Sequence, residues 1–141
     1  MPAADVLLDS NVLVYGLPAE PVGDEKRKQG IARRLIAETD FGVSYQVLME
    51  TYVVATRKLR RPLAPAAAIA FLEPFLEQPV ISGSSDLWRA AVRLSLRFDL
   101  HPYDAAVVAA AHELGATTLY SEDLSDGQDY DGVRVVNPFK Q

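Results

Sequence analysis

The stretch Asp5-Val6-Leu7-Leu8-Asp9-Ser10-Asn11 is a short apolar run closed by an acid and followed at once by residues that favour a helix start. It reads as a buried strand from Asp5 to Asp9 feeding a turn of helix from Ser10. A strand that passes directly into a helix is the first half of a βαβ unit, so the question is whether the rest of the chain keeps the same alternation.

It does. After a polar connection through Pro18, Pro21 and Gly23, Ile31, Leu35 and Ile36 recur at helical spacing, which predicts a helix from Asp24 to about Glu38. Phe41 to Ser44 reads as a second strand, and Tyr45 to Leu59 as a long helix that is stopped by Pro62. Pro65 suits the first turn of another helix, which runs to about Glu77 with Pro74 as a kink or break. Pro79-Val80-Ile81 is a third strand. A helix capped by Ser84 or Ser85 runs to Asp99, and the next runs from Pro102 to Gly115. Thr117 to Tyr120 and Val133 to Val136 are the last strands. Strands separated by helices of this length imply an α/β fold whose parallel sheet is covered by helices on both faces. Ligands then belong at the carboxyl ends of the strands.

The chain has 141 residues, the size of one domain, with 49% hydrophobic and 23% charged residues and no low-complexity tract. It is expected to fold as a single domain over residues 1–141. With no cysteine there is no disulfide scaffold, no thiol nucleophile and no cysteine-based metal site. The first apolar segment is far too short for a signal peptide or membrane span, so the expected location is cytoplasmic, with no membrane partner. The net charge of −5 does not favour nucleic acid. The basic residues are clustered, however, at Lys26-Arg27-Lys28, Arg33-Arg34, Arg57-Lys58 and Arg60-Arg61. Each cluster has an ordinary reading as a solvated helix face.

Four acids stand out. Asp9 ends the first strand and Asp123 follows the fourth, so each lies near the sheet edge where an open α/β fold places its site. Glu50 interrupts the run Val47-Leu48-Met49-Glu50-Thr51-Tyr52-Val53-Val54, with Gln46, Val47, Val53 and Val54 as its helical neighbours. A carboxylate in such surroundings must be paired, protonated or bound to a cation; the simplest alternative is an ion pair with Arg57. Asp104 sits in the first turn of an otherwise Ala- and Val-rich helix, where it could merely complement the helix dipole. Gathering these acids costs Coulomb repulsion, which a divalent cation reverses, and all-oxygen ligation fits Mg²⁺ or Mn²⁺ better than zinc.

These residues carry a resemblance to the PIN-domain ribonucleases, above all to the VapC-type toxins of bacterial toxin–antitoxin pairs. The matching segments are Leu7-Leu8-Asp9-Ser10-Asn11-Val12-Leu13-Val14-Tyr15, Gln46-Val47-Leu48-Met49-Glu50, Tyr103-Asp104-Ala105, and the stretch Leu119 to Phe139. The last contains Leu119-Tyr120-Ser121-Glu122-Asp123-Leu124 and ends Val135-Val136-Asn137-Pro138-Phe139. The resemblance implies a three-layer fold with strand order 3-2-1-4-5. It implies RNA hydrolysis without a protein nucleophile, supported by one or two Mg²⁺ or Mn²⁺ ions. By position, Asp9, Glu50 and Asp104 match the family's metal-binding acids, Asp9 and Asp104 foremost, and Asp123 matches a less constant fourth acid. Ser10, Asn11 and Ser121 match supporting positions, with Glu122 a competitor for the fourth acid. The implied partners are an RNA substrate, a cognate antitoxin and a second copy of the chain in a homodimer.

One local departure is His101-Pro102-Tyr103 before Asp104, where His101 reads as a solvated loop residue rather than a catalyst. Tyr45, Tyr52 and Trp88 read as core or dimer-packing residues rather than base-stacking ones, and His112 as a packing or surface residue. Two other readings compete. A haloacid-dehalogenase-like phosphohydrolase would use Asp9 as nucleophile, but Asn11 stands where its proton-donating Asp is needed. A non-catalytic interaction module would use the acids only for stability or for binding a basic tail.

Overall fold

The computed structural model describes residues 3–140. The first strand, β1 (Val6–Leu8), has its two core residues on opposite sides, Leu7 in one cluster and Leu8 in the other. That is the pleat of a strand buried on both faces, and it makes the molecule three layers thick. Helix α1 (Ser10–Gly16) follows immediately, then α2 (Glu25–Glu38), β2 (Phe41–Ser44) and α3 (Tyr45–Val53). After these come α4 (Pro65–Leu72), β3 (Val80–Ile81), α5 (Ser85–Phe98), α6 (Pro102–Leu114) and β4 (Thr118–Tyr120). Strands β5 (Asp129–Tyr130) and β6 (Val133–Val136) close the described chain.

The sheet order is β3-β2-β1-β4-β6-β5. Neighbours from β3 to β6 are all parallel, with Val6 opposite Phe41 on one side and Thr118 on the other. The five strands read from the sequence therefore lie in the order 3-2-1-4-5, as the resemblance implies. Strand β5 is an addition: it pairs antiparallel with β6, making the sheet mixed at that edge. Its turn is Asp131-Gly132, both at positive φ (55° and 101°), the conformation that a two-residue hairpin needs to match strand twist.

One cluster packs α5 and α6 against the sheet through Leu94, Ala105, Val108, Ala109, Leu114 and Leu119. The other packs α1, α2 and α3 through Val12, Leu13, Ala32, Val43 and Val47. The alanines of α6 let it approach the strands closely, and Gly42 of β2 completes the fit. A Cβ there would stand 2.7 Å from Leu114 Cδ2 and 3.1 Å from the Pro79 carbonyl oxygen. That contact fixes the height of α6 over the sheet, and with it the position of Asp104 at the helix's other end.

Helix ends follow their local chemistry. The Ser84 and Ser44 hydroxyls accept from Leu87 N and Val47 N, capping α5 and α3, while Gly115 ends α6 at φ 86°. Two long helices expected from the sequence change pitch before they end. The first becomes a π turn at Val54–Lys58, next to the β-branched pair Val53-Val54, with Thr56 Oγ1 donating back to the Tyr52 carbonyl. The second tightens to a 3₁₀ turn at Glu73–Glu77, because Pro74 has no N–H to continue the α ladder. Among the described residues no helix is long and apolar enough to cross a membrane.

Candidate active site

Asp9 stands at the carboxyl end of β1, and its backbone N–H donates to the Tyr120 carbonyl, continuing the ladder to β4. The side chain therefore projects where two central parallel strands end. It is only 5% exposed. Its Oδ1 accepts from Ser10 N at 2.7 Å, capping α1, and its Oδ2 accepts from Ser121 Oγ at 2.7 Å. Burial still dominates. Desolvation, reinforced by the charges of Glu50 and Asp123, outweighs the hydrogen bonds from Ser121 and Ser10 and pushes the Asp9 carboxyl up to about 6.

The other acids reach this point from different elements. Glu50 on α3 accepts from Ser10 Oγ at 3.0 Å and from Gln46 Nε2 at 2.7 Å, one helical turn before it. It does not pair with Arg57, the alternative its sequence neighbours left open. Asp104, in the first turn of α6, is partly buried and also shifted upward. Desolvation is the main cause; the charges of Asp123 and Glu50 add to it, and His101 partly offsets it. Asp123, in the loop after β4, is exposed and takes a hydrogen bond from Asn11 Nδ2 at 3.3 Å.

Asn11 is the hub. Its Nδ2 lies 3.4 Å from Asp9 Oδ2, 3.3 Å from Ser121 Oγ and 3.3 Å from Asp123 Oδ2, while its Oδ1 accepts from Glu122 N at 3.0 Å. Ser121 Oγ also accepts from Asp123 N at 3.2 Å. This network ties the start of α1 to the loop after β4. Through Ser10 it extends to Glu50.

Glu122 points elsewhere. Its carboxylate forms an ion pair with Lys28 and accepts from the Tyr15 hydroxyl at 2.8 Å, with the Lys28 ammonium 4.9 Å above the Tyr15 ring. Neither Lys28 nor Tyr15 stood out as a partner in the sequence. Lys28 lies 94 residues from Glu122, too far for any local pattern to connect them.

Among the described residues none of Asp9, Glu50, Asp104 and Asp123 is in a salt bridge; the acids so paired are Asp24, Asp86, Glu122, Asp126, Asp129 and Asp131. The four acids share one field without a basic partner. As the side chains stand, no three acidic or histidine groups among the described residues form a closed ligand shell for a metal ion. The donor chemistry nevertheless fits a hard dication: the acids offer only carboxylate oxygens, and among the described residues no cation pairs with the buried Asp9.

The basic clusters divide in the same way. Arg27 is occupied by Asp24 and the Phe139 carbonyl, and Arg33 by the Gly16 and Leu17 carbonyls. Arg57, Lys58, Arg60 and Arg61 are exposed and enter no salt bridge among the described residues. A cleft of about 460 Å³ runs between the α1–α2 connection and the loop Leu59–Leu63, and includes Arg60 and Arg61. It does not contain the acids, but Tyr15, which holds Glu122, forms part of its wall.

A family model for the PIN domain matches residues 6–125. The chain belongs to the PIN-domain family. Solved structures agree at the level of fold. A toxin–antitoxin complex from Klebsiella pneumoniae is similar with a TM-score of 0.66 and 20% identity, covering 94% of this chain and 97% of that one. The sarcin–ricin loop cleaving toxin VapC20 of Mycobacterium tuberculosis is similar with a TM-score of 0.66 and 22% identity, covering 84% and 89%. VapBC2 from Rickettsia felis, solved with a promoter DNA fragment, gives 0.62 and 15%, covering 92% and 96%. No curated protein matches the sequence.

Proposed function

We propose that this PIN domain is a ribonuclease toxin that hydrolyses RNA phosphodiester bonds with Mg²⁺ or Mn²⁺ and is restrained by a cognate antitoxin. The observation that carries the reading is a buried carboxylate, Asp9, raised to about 6 among three further acids from separate elements, with no basic partner in salt-bridge range among the described residues. A merely structural cluster would be expected to hold its own cations, as Glu122 does. When bound, a dication supplies Lewis acidity toward the phosphodiester and acidity to water.

The chain's own groups bind and orient. Ser10 N and Ser121 Oγ fix both Asp9 oxygens, Ser10 Oγ and Gln46 fix Glu50, and Asn11 holds Asp123. In this reading Asp9 and Asp104 are the principal metal ligands, Glu50 and Asp123 complete the acidic set, and Ser10, Asn11 and Ser121 are positioning residues. Glu122 is a supporting residue outside the acidic set, since its charge is already balanced by Lys28. No side chain has to act as nucleophile. Asn11 carries an amide, whose N–H is too weak an acid to protonate a leaving group as a phosphohydrolase of the aspartyl-phosphate type requires.

The free cations Arg57, Lys58, Arg60 and Arg61 offer phosphate contacts that the net charge conceals. The cleft beside them suits an extended antitoxin segment carrying a basic side chain toward the acids. The whole chain acts as one cytoplasmic catalytic domain and pairs as a homodimer. The deciding experiment is RNA cleavage by the parent, Asp9→Asn and Asp104→Asn proteins with Mn²⁺, Mg²⁺ or chelator. Metal-dependent cleavage lost in both variants supports the reading; cleavage at the parental rate in both overturns the role of these acids, and a parent that cleaves no RNA with either ion overturns the activity and leaves a non-catalytic binding module.

A further inference from the structure

The ring of Tyr103 is unusual for its position. It is 68% exposed, yet it is not loose. One face lies on the His101 imidazole, with centroids 5.5 Å apart and planes 21° from parallel. The Tyr103 N–H donates to His101 Nδ1 at 3.2 Å, and the intervening Pro102 fixes φ between the two rings. The Tyr103 carbonyl accepts from Gln46 Nε2 at 3.2 Å, and the same amide donates to Glu50 at 2.7 Å. The backbone bearing the ring is thus connected through one side chain to the second acid of the site, while the next residue is Asp104. His101 is the exposed loop residue the sequence suggests, and from there its side chain caps α6 and backs the ring.

We propose that the His101–Tyr103 pair is a nucleobase platform, on which the base next to the reacting phosphate stacks against the free face of Tyr103. This rests on the RNA reading above and deepens it by assigning the site a base-contacting group. An aromatic face already backed by a second ring continues a stack without losing rotamer freedom on binding. It is tolerant of base identity, because every base has a π face.

The test compares two probes: a labelled single-stranded RNA of mixed sequence, and the same backbone with abasic sites at alternate positions. Binding is followed by fluorescence anisotropy with Ca²⁺ in place of Mg²⁺, for the parent and for Tyr103→Ala, Tyr103→Phe and Tyr103→Trp. The parent is expected to prefer the base-bearing RNA by roughly tenfold or more, the scale of one aromatic–base stack. Tyr103→Ala should bring that ratio close to one, whereas Phe and Trp should keep it. The salt dependence, which reads phosphate contacts, should be the same in all four. An unchanged ratio in Tyr103→Ala overturns the platform and leaves the ribonuclease reading intact. So does a change in molar mass by light scattering on Tyr103→Ala, which would place the ring in a subunit contact. A parent that binds neither probe overturns the RNA reading itself.

Discussion

Glu122 and Asp123 are adjacent acids in one loop, yet their surroundings are opposite. Glu122 has an ammonium partner in Lys28 and a phenol donor in Tyr15, and that ammonium lies 5.8 Å from the Phe139 ring. Asp123 takes one hydrogen bond from an amide and adds to the field that raises Asp9 and Asp104. The same charge type therefore serves two ends: one closes a tertiary contact and the other is left for a ligand. What separates them is whether the protein supplies the counter-charge.

The largest expected difference between the two acids is in activity. Asn11→Ala removes the amide that holds Asp9 and Asp123, and groups that orient metal ligands typically contribute about 10- to 100-fold. RNA cleavage should fall by that much, whereas Glu122→Gln should stay within about threefold of the parent, the difference expected of a group that touches neither ion nor substrate. Equal losses in the two variants would erase the contrast.

The next expected effect is on stability, measured on metal-free protein. Asp9 is raised from 3.8 to about 6 in the folded state, so the fold holds its proton more tightly than the unfolded chain does. Its contribution is accordingly most favourable below about pH 4, is lost as pH rises toward 6, and leaves a penalty of roughly 3 kcal/mol at neutral pH. Asp9→Asn removes that penalty, and in chelator at pH 7.5 it should melt several degrees above the parent. The gap should close near pH 4. An Asn variant that melts lower at both pH values would mean that the charge was not destabilising.

Lys28→Met sharpens the comparison from the other side. It leaves Glu122 partly buried without its cation, and stability measured by denaturant should fall by about 1 to 3 kcal/mol, the scale of a hydrogen bond to a charged group. Adding Glu122→Gln should recover part of the loss, because no charge is then left unpaired. Additive losses would mean that the pair is not coupled. The smallest effect concerns the arginines. Arg57→Ala should lower the salt dependence of RNA binding by about one phosphate contact, and Arg27→Ala, already occupied by Asp24 and Phe139, should leave it unchanged.

Much of this was legible in the sequence. The apolar run ending at Asp9 and passing into Ser10-Asn11 marks β1 and the site together, because strand burial and helix capping are local properties. The acids at strand ends follow from the topology, and Gln46 stands one helical turn from Glu50, where its contact is foreseeable. Strand β5 is only two residues long, and its Asp131-Gly132 turn was the one available signal. The π turn at Val54–Lys58 has no distinct periodicity over so short a span. The pairing of Lys28 with Glu122 and the exposure of Tyr103 and Trp88 are tertiary outcomes. Trp88, 68% exposed, and Tyr45, 60% exposed, are not core residues, while Tyr52 does pack into a small cluster with Leu17 and Ala55. Sequence spacing determines which face a residue takes on its helix, but not what the fold brings to that face.

The most direct test is the melting temperature of the parent, Asp9→Asn, Asp104→Asn and Glu122→Gln proteins as Mn²⁺ is added. A saturable rise is expected in the parent and in Glu122→Gln, with little or none in Asp9→Asn and Asp104→Asn, because an ion stabilises the fold only where it binds the folded state selectively. A parent that does not respond, or an Asp9→Asn protein that responds as the parent does, would contradict the idea that these acids await a cation.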